Sequence, residues 1–148
     1  QMFLGAAFGW AVPMAFAAQT GHVPAGAWLL FVATLIWALI YDTFYAMVDR
    51  DDDLKIGVKS TAVLWGRYDR ATIGGFQCLF YALLVAVGAL FGLGLAYYLG
   101  LAAAVGMSIY HQWLTRGRDR ASCFAAFMQH NYLGGLIFIG LVVDLALG

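Results

Sequence analysis

The sequence contains no glutamate, only two cysteines and two prolines, and few charges of either sign. Charged residues occupy 11% of its 148 positions, against about 25% in an ordinary soluble domain, which excludes a solvated globular surface. A 64% hydrophobic composition excludes disorder, which needs low hydrophobicity and high net charge. Cys78 and Cys123 are too few for a secreted disulfide scaffold and too far apart for a metal or redox motif, so both are expected as free thiols. A formal net charge of +0 leaves no basic footprint for nucleic acid, which is not expected as a partner. The chain opens on Gln1 within an apolar run rather than on methionine, as expected of a piece of a longer protein.

What is present is long apolar runs with the charges confined between them. Residues 1–41 and 71–115 carry no Lys, Arg, Asp or Glu, and beyond Ala121 the only charge is Asp144. All eight basic residues fall in two stretches, Arg50 to Arg70 and Arg116 to Arg120. A helix needs about 20 apolar residues to cross about 30 Å of hydrocarbon. Five such runs can be drawn, at roughly 2–18, 27–48, 71–91, 95–114 and 133–148. The expected fold is therefore an all-α integral membrane helix bundle of five transmembrane helices. A membrane barrel would alternate in hydropathy instead. With every basic residue in alternate loops, the chain starts on the cytoplasmic side, both charged loops are cytoplasmic, and the C-terminus lies outside. Pro13 is expected to kink the first run, and Gly5, Gly9, Gly88, Gly92, Gly134, Gly135 and Gly140 to mark close helix packing. Trp10, Trp28, Tyr97, Tyr98, Trp113 and Tyr132 are expected near the interfaces. No internal repeat or linker divides the chain, so residues 1–148 read as one domain or part of one.

One segment carries chemistry. No helix breaker occurs between Gly26 and Gly57, which predicts a helix from about Ala27 to Ile56, roughly 45 Å long. Its last turns should project past the hydrocarbon; the helix bears Asp42 within the hydrocarbon and Asp49, Asp51, Asp52 and Asp53 toward its end. Asp49 and Asp53 fall about 20° to either side of Asp42 around the helix, so these three form one stripe, with Asp51 opposite and Asp52 to the side. A carboxylate inside the hydrocarbon costs about 2.5–3.5 kcal/mol, and a stripe of like charge needs compensation by basic groups or a divalent cation. Hard oxygen ligands at i and i+4 suit Mg²⁺, which keeps several waters and shares its shell with substrate phosphate. Lys55, Lys59, Arg67 and Arg70 follow at once, which suggests a diphosphate site. A calcium EF-hand counted from Asp49 fails, because its sixth and twelfth positions are Leu54 and Ser60. An intramembrane aspartate also serves in a cation-coupled transporter, and spacing alone leaves that reading open.

The block Tyr41 to Gly66, YDTFYAMVDRDDDLKIGVKSTAVLWG, resembles the second aspartate-rich motif of the UbiA superfamily of intramembrane prenyltransferases. Within it the similarity is greatest to the bacterial enzymes that prenylate 4-hydroxybenzoate for ubiquinone synthesis. SCFAAFMQHNYLG at Ser122–Gly134 and FGWAVPMAFA at Phe8–Ala17 resemble the same proteins. The resemblance implies helices five to nine of a nine-helix fold, that is, the C-terminal part of one prenyltransferase domain in the bacterial inner membrane, with its active site at the cytoplasmic face. It implies transfer of a polyprenyl group from its diphosphate to the 4-hydroxybenzoate ring, with another aromatic acceptor as the alternative. Asp49 and Asp53, with Asp42 leading the motif, would be the catalytic metal ligands for Mg²⁺. Lys59, with Lys55 and Arg50, would face the diphosphate, and Arg67 and Arg70 would anchor the interface. Asp51 and Asp52 would be solvated or supporting. The family's first motif, NxxxDxxxD, is absent from this chain, so the missing N-terminal half would be a partner and the chain alone is expected to be inactive. In the stretch Arg116–Tyr132, read as a loop, Arg116, Arg118 and Arg120 are expected as topology anchors. A cavity cap from Arg118, Asp119 or Asn131 is the alternative. His111 and His130 make no recognisable metal spacing, His22 is expected in solvent, and Asp144 reads as interfacial.

Overall fold

A computed structural model describes residues 2–148, with Met2 described by its backbone alone, and every regular element among the described residues is helical. The order is α1 (Met2–Gly9), α2 (Ala11–Thr20), α3 (Ala25–Ile56), α4 (Thr61–Trp65), α5 (Asp69–Phe91), α6 (Leu95–Leu114) and α7 (Arg120–Leu147). Four segments are long and apolar enough to cross a membrane: Phe3–Thr20, Ala25–Ile56, Thr61–Phe91 and Arg120–Leu147. The fifth expected span, α6, has 20 residues and so reaches about 30 Å. The polar pair His111 and Gln112 at its end leaves it outside that apolar group.

The first run is interrupted at Trp10 alone, which keeps a right-handed helical backbone and still donates its amide to the Ala6 carbonyl at 3.1 Å. Pro13 accounts for the interruption, since it offers no amide to Gly9 and its ring crowds that carbonyl. The helix expected from Ala27 to Ile56 runs Ala25–Ile56 and stops at Gly57, whose φ of 77° lets Val58 and Gly57 turn back onto the Asp53 carbonyl. The largest departure is α7. The stretch 116–132 is not a loop: α7 begins at Arg120, because Asp119 accepts a hydrogen bond from the Ser122 amide at 2.9 Å and caps it. Ser122, Gln129, His130 and Asn131 interrupt the apolar run in sequence yet lie on a continuous helix.

α3 is the central element and packs against α1, α4, α5 and α7, while α6 packs chiefly on α7. Phe44, Ile40, Ile73 and Leu133 are fully buried at its contacts. Glycine sets the closest crossing: a Cβ on Gly100 of α6 would lie 2.9 Å from the Gly140 Cα of α7. Gly5 and Gly9 likewise press α1 on Leu35, Ala38 and Phe31 of α3. Two of the expected packing glycines do otherwise. Gly92 ends α5 with φ 66°, and Gly135 meets open space. Tyr97 lies in the first turn of α6 but turns inward: it is buried and donates to the Leu84 carbonyl at 2.9 Å.

The two ends of the bundle are chemically distinct. At one end Asp144 of α7 accepts from the amides of Gly94 (2.6 Å) and Tyr97 (3.3 Å), satisfying the first turn of α6. Gly26 and Phe16 meet Phe91 at that same end. At the other end the two charged stretches touch. Arg118 reaches Asp69, Arg120 reaches Asp52, and Arg70 donates to the Gln112 carbonyl at 2.5 Å. Helices alternate up and down between these ends, in the order the charge pattern predicts.

Candidate functional site

The candidate site is the polar end of α3. Thr43 is fully buried on one side, where it accepts from the Thr61 hydroxyl at 3.0 Å and ties α3 to α4. Tyr41 and Tyr45 point to the other side, with ring centroids 5.9 and 5.1 Å from Phe127 of α7. Between these flanks runs the stripe that packs on α1 at Leu35 and Ala38 and continues through Asp42, Asp49 and Asp53. The rise of the helix separates Asp49 from Asp53 by about 6 Å, and Asp42 from Asp49 by about 10 Å. One ion can therefore bridge the i, i+4 pair but not all three residues. Consistently, no group of three or more His, Cys or Asp side chains among the described residues is placed to hold a metal. Asp49 and Asp53 form a two-carboxylate site, and Asp42 lies half-buried two turns deeper.

The basic residues around this pair are engaged elsewhere. Arg118 grips the fully buried Asp69 through Nε (2.9 and 3.1 Å) and Nη2 (2.8 Å), and also donates to the Arg67 carbonyl at 2.8 Å. Arg50 is 4.0 Å from the same Asp69 carboxylate. Lys55 lies 3.0 Å from Asp52, which Arg120 also contacts. The Arg120 guanidinium, helped by Lys55, holds the Asp52 carboxyl below the usual carboxylate range. The Ser122 hydroxyl does the same to Asp119. Arg67 donates to the Tyr68 hydroxyl at 2.6 Å and Arg116 lies over the Trp113 ring. By contrast, Asp42, Asp49, Asp51 and Asp53 have no ion pair or side-chain hydrogen bond among the described residues.

Several expectations change accordingly. Arg50 and Lys55, candidates for diphosphate, are turned toward Asp69 and Asp52. Arg118 and Arg120 are ion-pair partners joining the two charged stretches rather than simple anchors. Asp119 caps a helix rather than a cavity. Asp52 is the paired carboxylate of its run, because Lys55 lies one turn on and Arg120 arrives from α7. Lys59 is exposed and lines a groove of about 590 Å³ whose other walls include Phe3, Leu35, Leu39, Leu64 and Phe76. A cation beside an apolar channel suits a phosphate head on a hydrocarbon chain.

Asp69 went unnoticed in the sequence, since nothing in GRYDRA distinguishes a buried carboxylate from an interfacial one. His111 and His130 make no metal site, yet they stack at a centroid distance of 5.0 Å against Phe44 and both are buried. His130 also lines a cavity of about 270 Å³ with Trp37, Tyr41 and Asn131. Tyr41 and Trp37 stand about 12 and 18 Å along the axis from Asp49, too far to share its chemistry.

A helical membrane bundle with a bare carboxylate pair at its polar end matches the family model described as the UbiA prenyltransferase family over residues 1–133, and the chain belongs to that family. It is a multi-pass membrane chain. The chain is 65% identical to the 4-hydroxybenzoate octaprenyltransferase of Alkalilimnicola ehrlichii over 148 residues, covering 100% of the chain and 50% of that relative. The enzymes of the same name from Methylococcus capsulatus and Aliivibrio fischeri are 56% and 55% identical, over 97% and 95% of the chain and 49% of each relative. The chain thus spans about half the length of the curated relatives it matches. No solved structure matches it. Family membership removes the transporter reading.

Proposed function

We propose that this chain is the C-terminal part of a single prenyltransferase domain that transfers a polyprenyl group from its diphosphate to the ring of 4-hydroxybenzoate. The reading places it in the bacterial inner membrane with the aspartate end of α3 at the cytoplasmic face. The observation that carries it is the sorting of charge at that end: Arg50, Lys55, Arg118 and Arg120 are paired elsewhere and Asp49 and Asp53 are left bare. Two hard, anionic oxygen donors one helical turn apart fit Mg²⁺, which retains waters and takes substrate phosphate oxygens for the rest of its shell. When bound there, the ion neutralises charge developing on the departing diphosphate.

The chain's own residues do the remaining work. Asp49 and Asp53 hold the ion's site at the membrane surface, and Lys59 offers an ammonium to a diphosphate oxygen at the mouth of the apolar groove. Apolar walls keep water from the allylic carbon while its bond to oxygen breaks. A new carbon–carbon bond forms ortho to the acceptor hydroxyl, and the ring proton leaves. Asp42, deeper on the stripe, borders this site without sharing the ion with both partners. The N-terminal half of the relatives' length would supply the family's other aspartate motif, so activity is expected of the whole protein and not of these residues alone.

The test is a membrane assay of the full-length protein with labelled 4-hydroxybenzoate and a polyprenyl diphosphate. Product should require Mg²⁺. Asp49→Asn or Asp53→Asn should lower the rate at least about 100-fold while the protein still inserts. Product that forms equally well in excess chelator would overturn the metal reading. Conversion of another aromatic acceptor but not of 4-hydroxybenzoate would overturn the acceptor.

A further inference from the structure

Arg50 is the residue most able to spoil the metal site. It follows Asp49 directly and stands three residues before Asp53, a spacing at which an arginine ordinarily pairs with a carboxylate on the same helix. In the structure it does not. Its Nη1 is 4.0 Å from the Asp69 carboxylate. Its Nη2 lies beside Gly66, 3.9 Å from where a Cβ there would lie. The Asp69 contact and the place beside Gly66 set the guanidinium on the α4–α5 side of α3, away from the stripe.

Asp69 is unusual in its own right. It is 0% exposed at the start of α5, accepts from the Arg70 amide at 2.6 Å, and faces two guanidiniums, Arg118 and Arg50. Arg118 alone would neutralise it. A buried carboxylate with one full partner and a second arginine beside it has more positive charge around it than its own neutrality needs.

We propose that Asp69 is a positioning residue that draws Arg50 off the Asp49–Asp53 pair and so keeps those carboxylates free for a divalent cation. The proposal rests on the metal reading of Asp49 and Asp53 above. Without the Asp69 charge, the strongest anions within reach of Arg50 are Asp49 and Asp53, and a guanidinium on either competes with the cation.

The test is Mn²⁺ binding, used as the probe for the divalent site and followed by electron paramagnetic resonance of the detergent-purified full-length protein without substrate. Asp49→Asn should remove the Mn²⁺ equivalent that depends on this pair, whatever the other aspartate motif of the full-length protein retains; if the Mn²⁺ stoichiometry is unchanged, the metal reading fails first. Given that site, Asp69→Asn should raise the Mn²⁺ dissociation constant about two- to fivefold, what one surface ion pair is worth. Adding Arg50→Gln to Asp69→Asn should restore wild-type affinity, and Arg50→Gln alone should leave it unchanged. A role confined to folding predicts no such rescue, so a double variant as weak as Asp69→Asn overturns the proposal, as does unaltered affinity in Asp69→Asn. Arg118→Gln supplies an arm that does not depend on Asp69→Asn folding: it leaves Asp69 wholly to Arg50 and should not weaken Mn²⁺ binding. A weaker site in Arg118→Gln counts against the proposal.

Discussion

Asp52 and Asp53 are neighbours in the chain with opposite circumstances. A turn of about 100° puts Asp52 toward α7, where Arg120 and Lys55 meet it, and Asp53 on the bare stripe. Helical periodicity already separated the two faces, but it gave no sign of Arg120, which comes from 68 residues away. The pairing has a pH signature. Because the folded carboxyl of Asp52 is held below its ordinary range, chiefly by Arg120, its contribution is present above the unfolded value of about 3.9. It is lost as pH falls through the lower folded value. The melting-temperature difference between wild type and Asp52→Asn should therefore be constant between about pH 5 and pH 8 and shrink as pH falls below the unfolded value. Thermal scans of both proteins in detergent at stepped pH check this.

Among the elements, α3 was the most legible, since an unbroken run between two glycines over that length has no other regular conformation open to it in lipid. α7 was the least, because a few polar side chains near its start mimic a loop when only hydropathy is considered. Its true start depends on Asp119 and Ser122, a cap too short to stand out. The α6–α7 crossing makes a sharper claim than either. With Gly100 and Gly140 in near backbone contact, Gly140→Val must push the helices apart and should cost about 1–3 kcal/mol of stability. Gly135→Ala, facing open space on the same helix, should cost almost nothing. Unfolding of the two variants in mixed micelles separates the readings.

Over the whole molecule, the two charged stretches are joined by buried charge rather than by chain proximity. Asp69 is fully buried and Arg118 is its bidentate partner. Arg118→Ala should therefore cost about 1–3 kcal/mol, less than the loss from a fully buried pair, because Arg118 is 34% exposed and Arg50 stays beside the Asp69 carboxylate. Arg116→Ala, which loses only a ring contact to Trp113, should change stability by less than about 1 kcal/mol. Denaturant titration of the purified full-length protein distinguishes the two. The same arrangement explains why the alternation of helices could be inferred from basic residues alone: stretches expected on one side of a membrane are in contact at one end of the bundle.

From the residues alone came the helical class, the apolar spans, the side on which charge collects, and the shared stripe of Asp42, Asp49 and Asp53. All of these follow from hydrophobic length and a period of about 3.6 residues, which are local properties of a chain. Which aspartates stay bare, which arginines are occupied, and that Asp69 is buried at all were decided only by packing. An ion pair across 49 or 68 residues exists because α3, α5 and α7 bring their ends together, and no local pattern encodes that meeting.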